Sequence, residues 1–155
     1  MHKIFLFFAA SVFLLTSCNK DEVLTYEEQL AVDTKIIDDY LSANGIVAQS
    51  TTEGLKYEIT SSGNGDFPTT GNTVVVNYAG KLLDGTPFDA NDGFEFPLGQ
   101  GRVIQGWDIG IALLSKGAKA TLYLPSGLAY GTRGAGGKIG PNAVLVFDVE
   151  LVDFR

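Results

Sequence analysis

The sequence predicts an α+β fold: an antiparallel β-sheet curled around one short α-helix, preceded by an N-terminal helix. Three observations lead there. Apolar residues alternate with period two in several short runs, as on strands with one dry face. Nineteen glycines punctuate those runs as turns would. Only two stretches change to a helical period, one near the N-terminus and one beginning at the sole tryptophan, Trp107.

The chain opens on a segment expected to be removed. Lys3 supplies a positive charge, and Ile4–Leu15 is an unbroken small or apolar run too short to span a bilayer as a stable helix. Leu15-Thr16-Ser17-Cys18 resembles a bacterial lipobox, which implies cleavage before Cys18 and lipidation of that cysteine. The competing reading is an ordinary secretory signal with an incidental cysteine. Residues 1–17 are thus read as a lipoprotein signal peptide and 18–24 as a tether. Asn19-Lys20-Asp21-Glu22 is polar and resembles a surface-export signal. The expected location is the bacterial cell envelope, lipid-anchored, at the outer membrane and facing the periplasm or the surface.

Thr25-Tyr26-Glu27-Glu28 has the form of a capping box. A helix is predicted from there to Ala43, with Tyr26, Leu30, Ile37 and Leu41 on one face and Asn44-Gly45 as its stop. That face is expected to pack on the chain's own domain; the alternative is a homodimer formed through the Thr25–Ala43 helix. Gln49–Gly54 reads as a polar linker, which closes residues 25–54.

Residues 55–155 are the predicted domain. Leu55–Thr60 alternates as a strand with one wet face, and Val74, Val76 and Tyr78 line one face of a second strand ending near Gly80. Asp84-Gly85 is a hairpin signal, and Thr86-Pro87-Phe88-Asp89 starts the return. Phe94 and Phe96 have the spacing of neighbours on a strand that Pro97 and Gly99 end. Trp107, Ile111 and Leu114 give the central helix an apolar face, with Lys116-Gly117 as its expected end. Ala120, Leu122 and Leu124 alternate again, Ser126–Pro141 is a long glycine-rich loop, and Leu145, Phe147, Val149 and Leu151 line the last strand.

Composition narrows the function. The formal charge of −7 lacks the basic footprint that nucleic acid requires. The only histidine is His2 and the only cysteine Cys18, so the processed domain would lack Ser-His-Asp and Cys-His catalysis, His/Cys zinc sites and disulfides. Asp89–Gly93 fails the EF-hand template, because the glycine comes one place early and Gln100 stands where a bidentate Glu is needed. Gly131–Gly137 opens no helix, and Lys138 precedes Ile139 rather than Ser or Thr, so no phosphate loop is read there. No metal and no cofactor is expected. Aromatic density is what remains: a strand, a loop and a helix start bring rings together as the walls of an apolar pocket.

The residues that carry this density resemble a known family. Val76-Asn77-Tyr78-Ala79-Gly80, Phe88-Asp89, Phe96-Pro97-Leu98-Gly99, Val103-Ile104-Gln105-Gly106-Trp107, Ala129-Tyr130-Gly131 and Leu145-Val146-Phe147-Asp148-Val149-Glu150-Leu151 are similar, in order, to the FKBP-type peptidyl-prolyl isomerases. The resemblance implies an apolar pocket that accelerates X–Pro rotation. It gives catalytic positions at Tyr78, Phe88, Asp89, Ile104, Trp107 and Tyr130, with substrate-binding positions at Phe94, Phe96, Val103, Ile139 and Phe147. It implies Trp107 as floor, the Ile104 N–H and Tyr130 hydroxyl as donors to bound carbonyls, and Asp89 on the polar side. Proline-containing polypeptides are the implied partners and macrolide-type inhibitors the implied ligands. Three positions depart from the family: the segment Ala90–Gly93 is short, so any partner of Asp89 must come from elsewhere; Ala135 replaces a histidine; and Lys138 replaces an apolar wall residue.

Overall fold

A computed structural model of the chain describes residues 24–155. The leader, Cys18 and the tether up to residue 23 lie outside the described residues. Helix α1 spans Tyr26–Ala43 and begins with the expected capping box: the Glu28 N–H donates to the Thr25 hydroxyl (3.3 Å), and the Thr25 N–H donates to the Glu28 carboxylate (2.9 Å). Six strands follow: β1 (Gln49–Ser50), β2 (Lys56–Ser61), β3 (Thr73–Leu82), β4 (Pro87–Pro97), β5 (Lys119–Leu124) and β6 (Leu145–Phe154), with helix α2 (Gln105–Ala112) between β4 and β5. They form one antiparallel sheet in the order β1-β2-β5-β6-β3-β4.

The sheet is covered on both faces. On one side α2 packs Trp107 and Ile111 among Leu55, Val76, Leu122, Leu145 and Leu151, all buried. On the other, α1 places Ile37 and Leu41 on Tyr123, Val144 and Val146. The second face of β5 and β6, about which alternation says nothing, is therefore also buried: Tyr123 and Val146 are only 2% and 1% exposed, because α1 lies over them.

The buried face of α1 is rotated from the predicted one. Ile37 and Leu41 are buried as expected, but Tyr26 is exposed and Leu30 only half-buried, and the face is completed by Asp33. The Asp33 carboxylate accepts the Ser126 N–H and the Gln29 side-chain amide, each at 2.7 Å, and these partners let a charged group replace an apolar one. An ion pair from Lys56 to Asp38 ties α1 to β2.

Three other boundaries differ. The expected linker at Gln49–Gly54 contributes β1, a two-residue edge pairing with β2. Segment Ala90–Gly93 belongs to a continuous β4: the ladder slips opposite Asn77, whose side-chain oxygen accepts the Gly93 N–H at 2.8 Å, so a bulge absorbs the extra residue. Helix α2 stops at Ala112, and Leu113 and Leu114 turn on tighter i to i−3 bonds before Gly117 (φ 82°) reverses the chain.

Candidate active site

The floor is made by local sequence. Gln105-Gly106-Trp107 starts α2, and Gly106 leaves no room for a side chain: a Cβ there would stand 2.4 Å from a Leu124 methyl. The helix therefore sits close on β5 and turns the indole toward β3 and β6. Trp107 is 4% exposed and meets Tyr78 edge-on at 4.7 Å and Phe147 at 5.3 Å, with Phe96 and Phe94 at 5.7 and 5.9 Å. Edge-to-face rings at such separations attract beyond their burial. The indole N–H is buried and has no acceptor among the described residues.

Above this floor lies a cavity of about 310 Å³ lined by Tyr78, Asp89, Phe94, Arg102, Val103, Ile104, Trp107, Tyr130 and Phe147. A smaller cleft continues past Tyr130 and Asp89 to Phe88, Ala135, Lys138 and Ile139. Larger hollows occur on the outer face of the sheet, beside the start of α1 and over Ala129–Gly134, and none of them gathers aromatic rings in this way.

Of the residues anticipated from sequence, eight line the cavity itself. Phe88 and Ile139 line the adjoining cleft instead, and Phe96 lies behind the indole rather than on the cavity wall. Phe88 keeps contact through its edge-on packing with Phe147 at 5.4 Å. Gly80 makes that packing available, since a Cβ there would meet both rings within 2.8 Å.

The polar side is built around Asp89. Its partner is the Tyr78 hydroxyl, which donates to the carboxylate at 2.7 Å across the β3–β4 pairing. Burial, reinforced by this carboxylate, pushes the Tyr78 phenol up to about 12 from its ordinary 10, so the hydroxyl remains a donor throughout the neutral range. The other donor comes from backbone. Ile104 is the N-cap of α2 in an extended conformation; its carbonyl accepts the Trp107 N–H at 2.9 Å. Its own N–H has no acceptor among the described residues. Tyr130 is 41% exposed and its hydroxyl is also without a protein partner among them.

Sequence reasoning missed two residues here. Asp108, in the first turn of α2, accepts the N–H groups of Gly99 and Gly101 at 2.8 and 2.9 Å and so fixes the loop that delivers Val103 and Ile104. Arg102 lines the cavity; its signal was a charged residue directly before the Val103-Ile104 pair.

Residues 64–152 match the family model described as FKBP-type peptidyl-prolyl cis-trans isomerase, more than half of the chain. The chain belongs to the FKBP-type peptidyl-prolyl cis-trans isomerases. The FKBP-type region is 55% identical over 108 residues to a probable FKBP-type peptidyl-prolyl cis-trans isomerase FkpA of Neisseria meningitidis, covering 67% of this chain and 39% of that protein. It is 44% identical to FK506-binding protein 1 of Dictyostelium discoideum, covering 66% of this chain and 99% of the relative. The crystal structure of FkpA from Escherichia coli superposes with a TM-score of 0.70 at 36% identity, covering 83% of this chain and 62% of that one. This chain thus spans less than two thirds of either FkpA, whereas the slime-mould relative is matched almost end to end.

The Tyr78 environment gives a test by titration. Burial raises Tyr123 to about 12 as well, so two late phenolates are expected in the ultraviolet titration of the folded protein. Tyr78→Phe should remove one of them; an unchanged late amplitude would contradict the assignment. For Tyr78 the folded value lies above the unfolded one. Its contribution to stability is therefore complete below pH 10 and is lost as the pH rises through about 12.

Proposed function

We propose that this chain accelerates cis–trans rotation about X–Pro bonds in extended or folding polypeptides, through the aromatic cavity over Trp107. The observation that carries this reading is an apolar floor of four rings around one indole, with a backbone donor, Ile104 N–H, unengaged among the described residues at its edge.

The reaction suits such a site. Rotation about the amide faces a barrier of about 18–20 kcal/mol, because resonance must be lost, and it requires no bond to be made or broken. A prolyl ring seated on Trp107 leaves water, and the twisted amide, less polar than the planar one, is favoured in that setting. Ile104 N–H and the Tyr130 hydroxyl can hold the carbonyls on either side while the bond between them turns. Each tenfold acceleration needs about 1.4 kcal/mol of preference for the twisted form. Asp89 holds the Tyr78 hydroxyl and through it the polar wall.

Residues 55–155 are proposed as the isomerase domain and 25–54 as its helix and linker. Cys18 is proposed as the lipid-bearing residue, with residues 1–17 removed and the protein anchored in the bacterial envelope, and the lipobox-like sequence supports this. The mass of the membrane-extracted protein tests the anchor, since an unlipidated Cys18 would sink it. Macrolide-type inhibitors are proposed to compete for the same cavity. Dimerisation through α1 would use Val32 and Ile36, 44% and 42% exposed; a monomer in light scattering at high concentration ends that idea.

The activity is tested by exchange NMR on a short Ala-Pro peptide with the full chain. Acceleration of cis–trans exchange is the expected result. Peptide resonances that shift on titration without acceleration would reassign the cavity as a binding module.

A further inference from the structure

The cations of this acidic chain are distributed unevenly. Lys35, Lys56, Lys81, Lys116, Lys119 and Arg155 are each ion-paired with a carboxylate. Among the described residues, the lysines and arginines that form no ion pair are Arg102, Arg133 and Lys138. All three are exposed, and all border the candidate active site. Arg102 lines the cavity over Trp107, Lys138 lines the cleft with Phe88 and Ile139, and Arg133 lines the hollow over Ala129–Gly134. Tyr130 is common to the three hollows. Asp89 is the one carboxylate lining any of them, and it already accepts the Tyr78 hydroxyl.

We propose that these cations make the site selective for X–Pro pairs with acidic residues on either side, so that the preferred clients are acidic polypeptide segments. The proposal rests on the reading of the cavity as a prolyl isomerase site and names its substrate class. A proline ring on Trp107 would leave the flanking residues to cross the edge of the cavity. There Arg102 can take a carboxylate with its planar fork, and Lys138, on the far side of Tyr130, can take a second as a point charge. Elsewhere on the described surface each cation is matched by its own carboxylate and offers a client little. The net charge of −7 repels an acidic client at long range, so the selectivity arises in the bound complex and not from steering. It should therefore appear chiefly in KM. Exposed charges are screened within about 10 Å at 0.1 M salt, so it should also fade with ionic strength.

The test compares matched peptides that differ only in the residues flanking Ala-Pro: two Glu, two Ala or two Lys. With the full chain at low salt, kcat/KM for the Glu peptide is expected to exceed that for the Lys peptide by about tenfold, an energy difference of about 1.4 kcal/mol. The ratio should approach unity at high salt and in the triple variant Arg102→Gln, Arg133→Gln, Lys138→Gln, whose fold is checked by circular dichroism. A wild-type ratio near unity at low salt overturns the proposal, as does a ratio that survives the triple substitution. Acceleration of none of the peptides would count against the isomerase reading instead. In that case the same peptides titrated by NMR decide the charge preference on binding alone: tighter binding of the Glu peptide supports it, and equal binding overturns it.

Discussion

Replacing Trp107 by alanine is expected to lower kcat/KM for an X–Pro peptide by at least about a hundredfold, equivalent to about 2.7 kcal/mol of lost transition-state preference. The indole is 4% exposed and is the common neighbour of Tyr78, Phe94, Phe96 and Phe147. Its removal empties the floor and lets water reach the place where the prolyl ring would sit. The same change should cost about 3–5 kcal/mol of stability, the usual range for a buried Trp cut to Ala. Because that loss threatens folding, Trp107→Phe is the informative companion. It keeps a ring on the floor and should retain a measurable part of the activity at a smaller cost in stability. Wild-type turnover by a folded Trp107→Ala protein would move the chemistry to another part of the surface. The chain holds one tryptophan, so its tryptophan emission, excited selectively over the tyrosines, reports on this site alone.

Asp33→Ala is the second large effect. Asp33 is fully buried, and its two carboxylate oxygens are taken by the Ser126 N–H and the Gln29 amide. Alanine would strand a buried backbone donor and a part-buried amide, each costing about 1–3 kcal/mol. A total loss near 3 kcal/mol is expected in urea denaturation. Asp33→Asn should recover most of it: its side-chain oxygen can still accept from Ser126, and the Gln29 amide can flip to accept from its nitrogen. Equal stability of the alanine variant and the wild type would show the contact to be dispensable. Since Ser126 opens the turn that leads to Tyr130, loosening this contact should also raise KM in the alanine variant.

Much of this architecture was legible because it is written locally. The capping box at Thr25, the Asp84-Gly85 turn, and the alternation of Leu145, Phe147, Val149 and Leu151 each depend on near neighbours in sequence. The central aromatic stretch was legible for the same reason. What escaped depends on distant partners. Asp33 reads as one more charge on a helix, because its partner Ser126 is 93 residues away. The burial of Tyr123 and Val146 follows from where α1 docks, which period-two alternation does not encode. Strand β4 runs through Asp92 and Gly93, residues with poor strand propensity, because pairing with β3 and the Asn77 side chain hold them there. Of the site, the rings and Asp89 were foreseen, whereas the Tyr78–Asp89 bond and the position of Arg102 emerge only when strands and loops are brought together.

The placement of β6 has a kinetic consequence. Strand β6 is synthesised after the other five described strands yet sits in the middle of the sheet, bonded to β5 on one side and β3 on the other. Until it arrives, the chain holds two separately paired fragments, β1-β2-β5 and β3-β4, with open edges and no strand between them. Contacts of such long sequence separation are slow to form, because loop closure must precede any gain from pairing. A nascent chain ending before Leu145 therefore has no closed cavity over Trp107. The candidate site comes into being only once β6 has joined the two halves of the sheet.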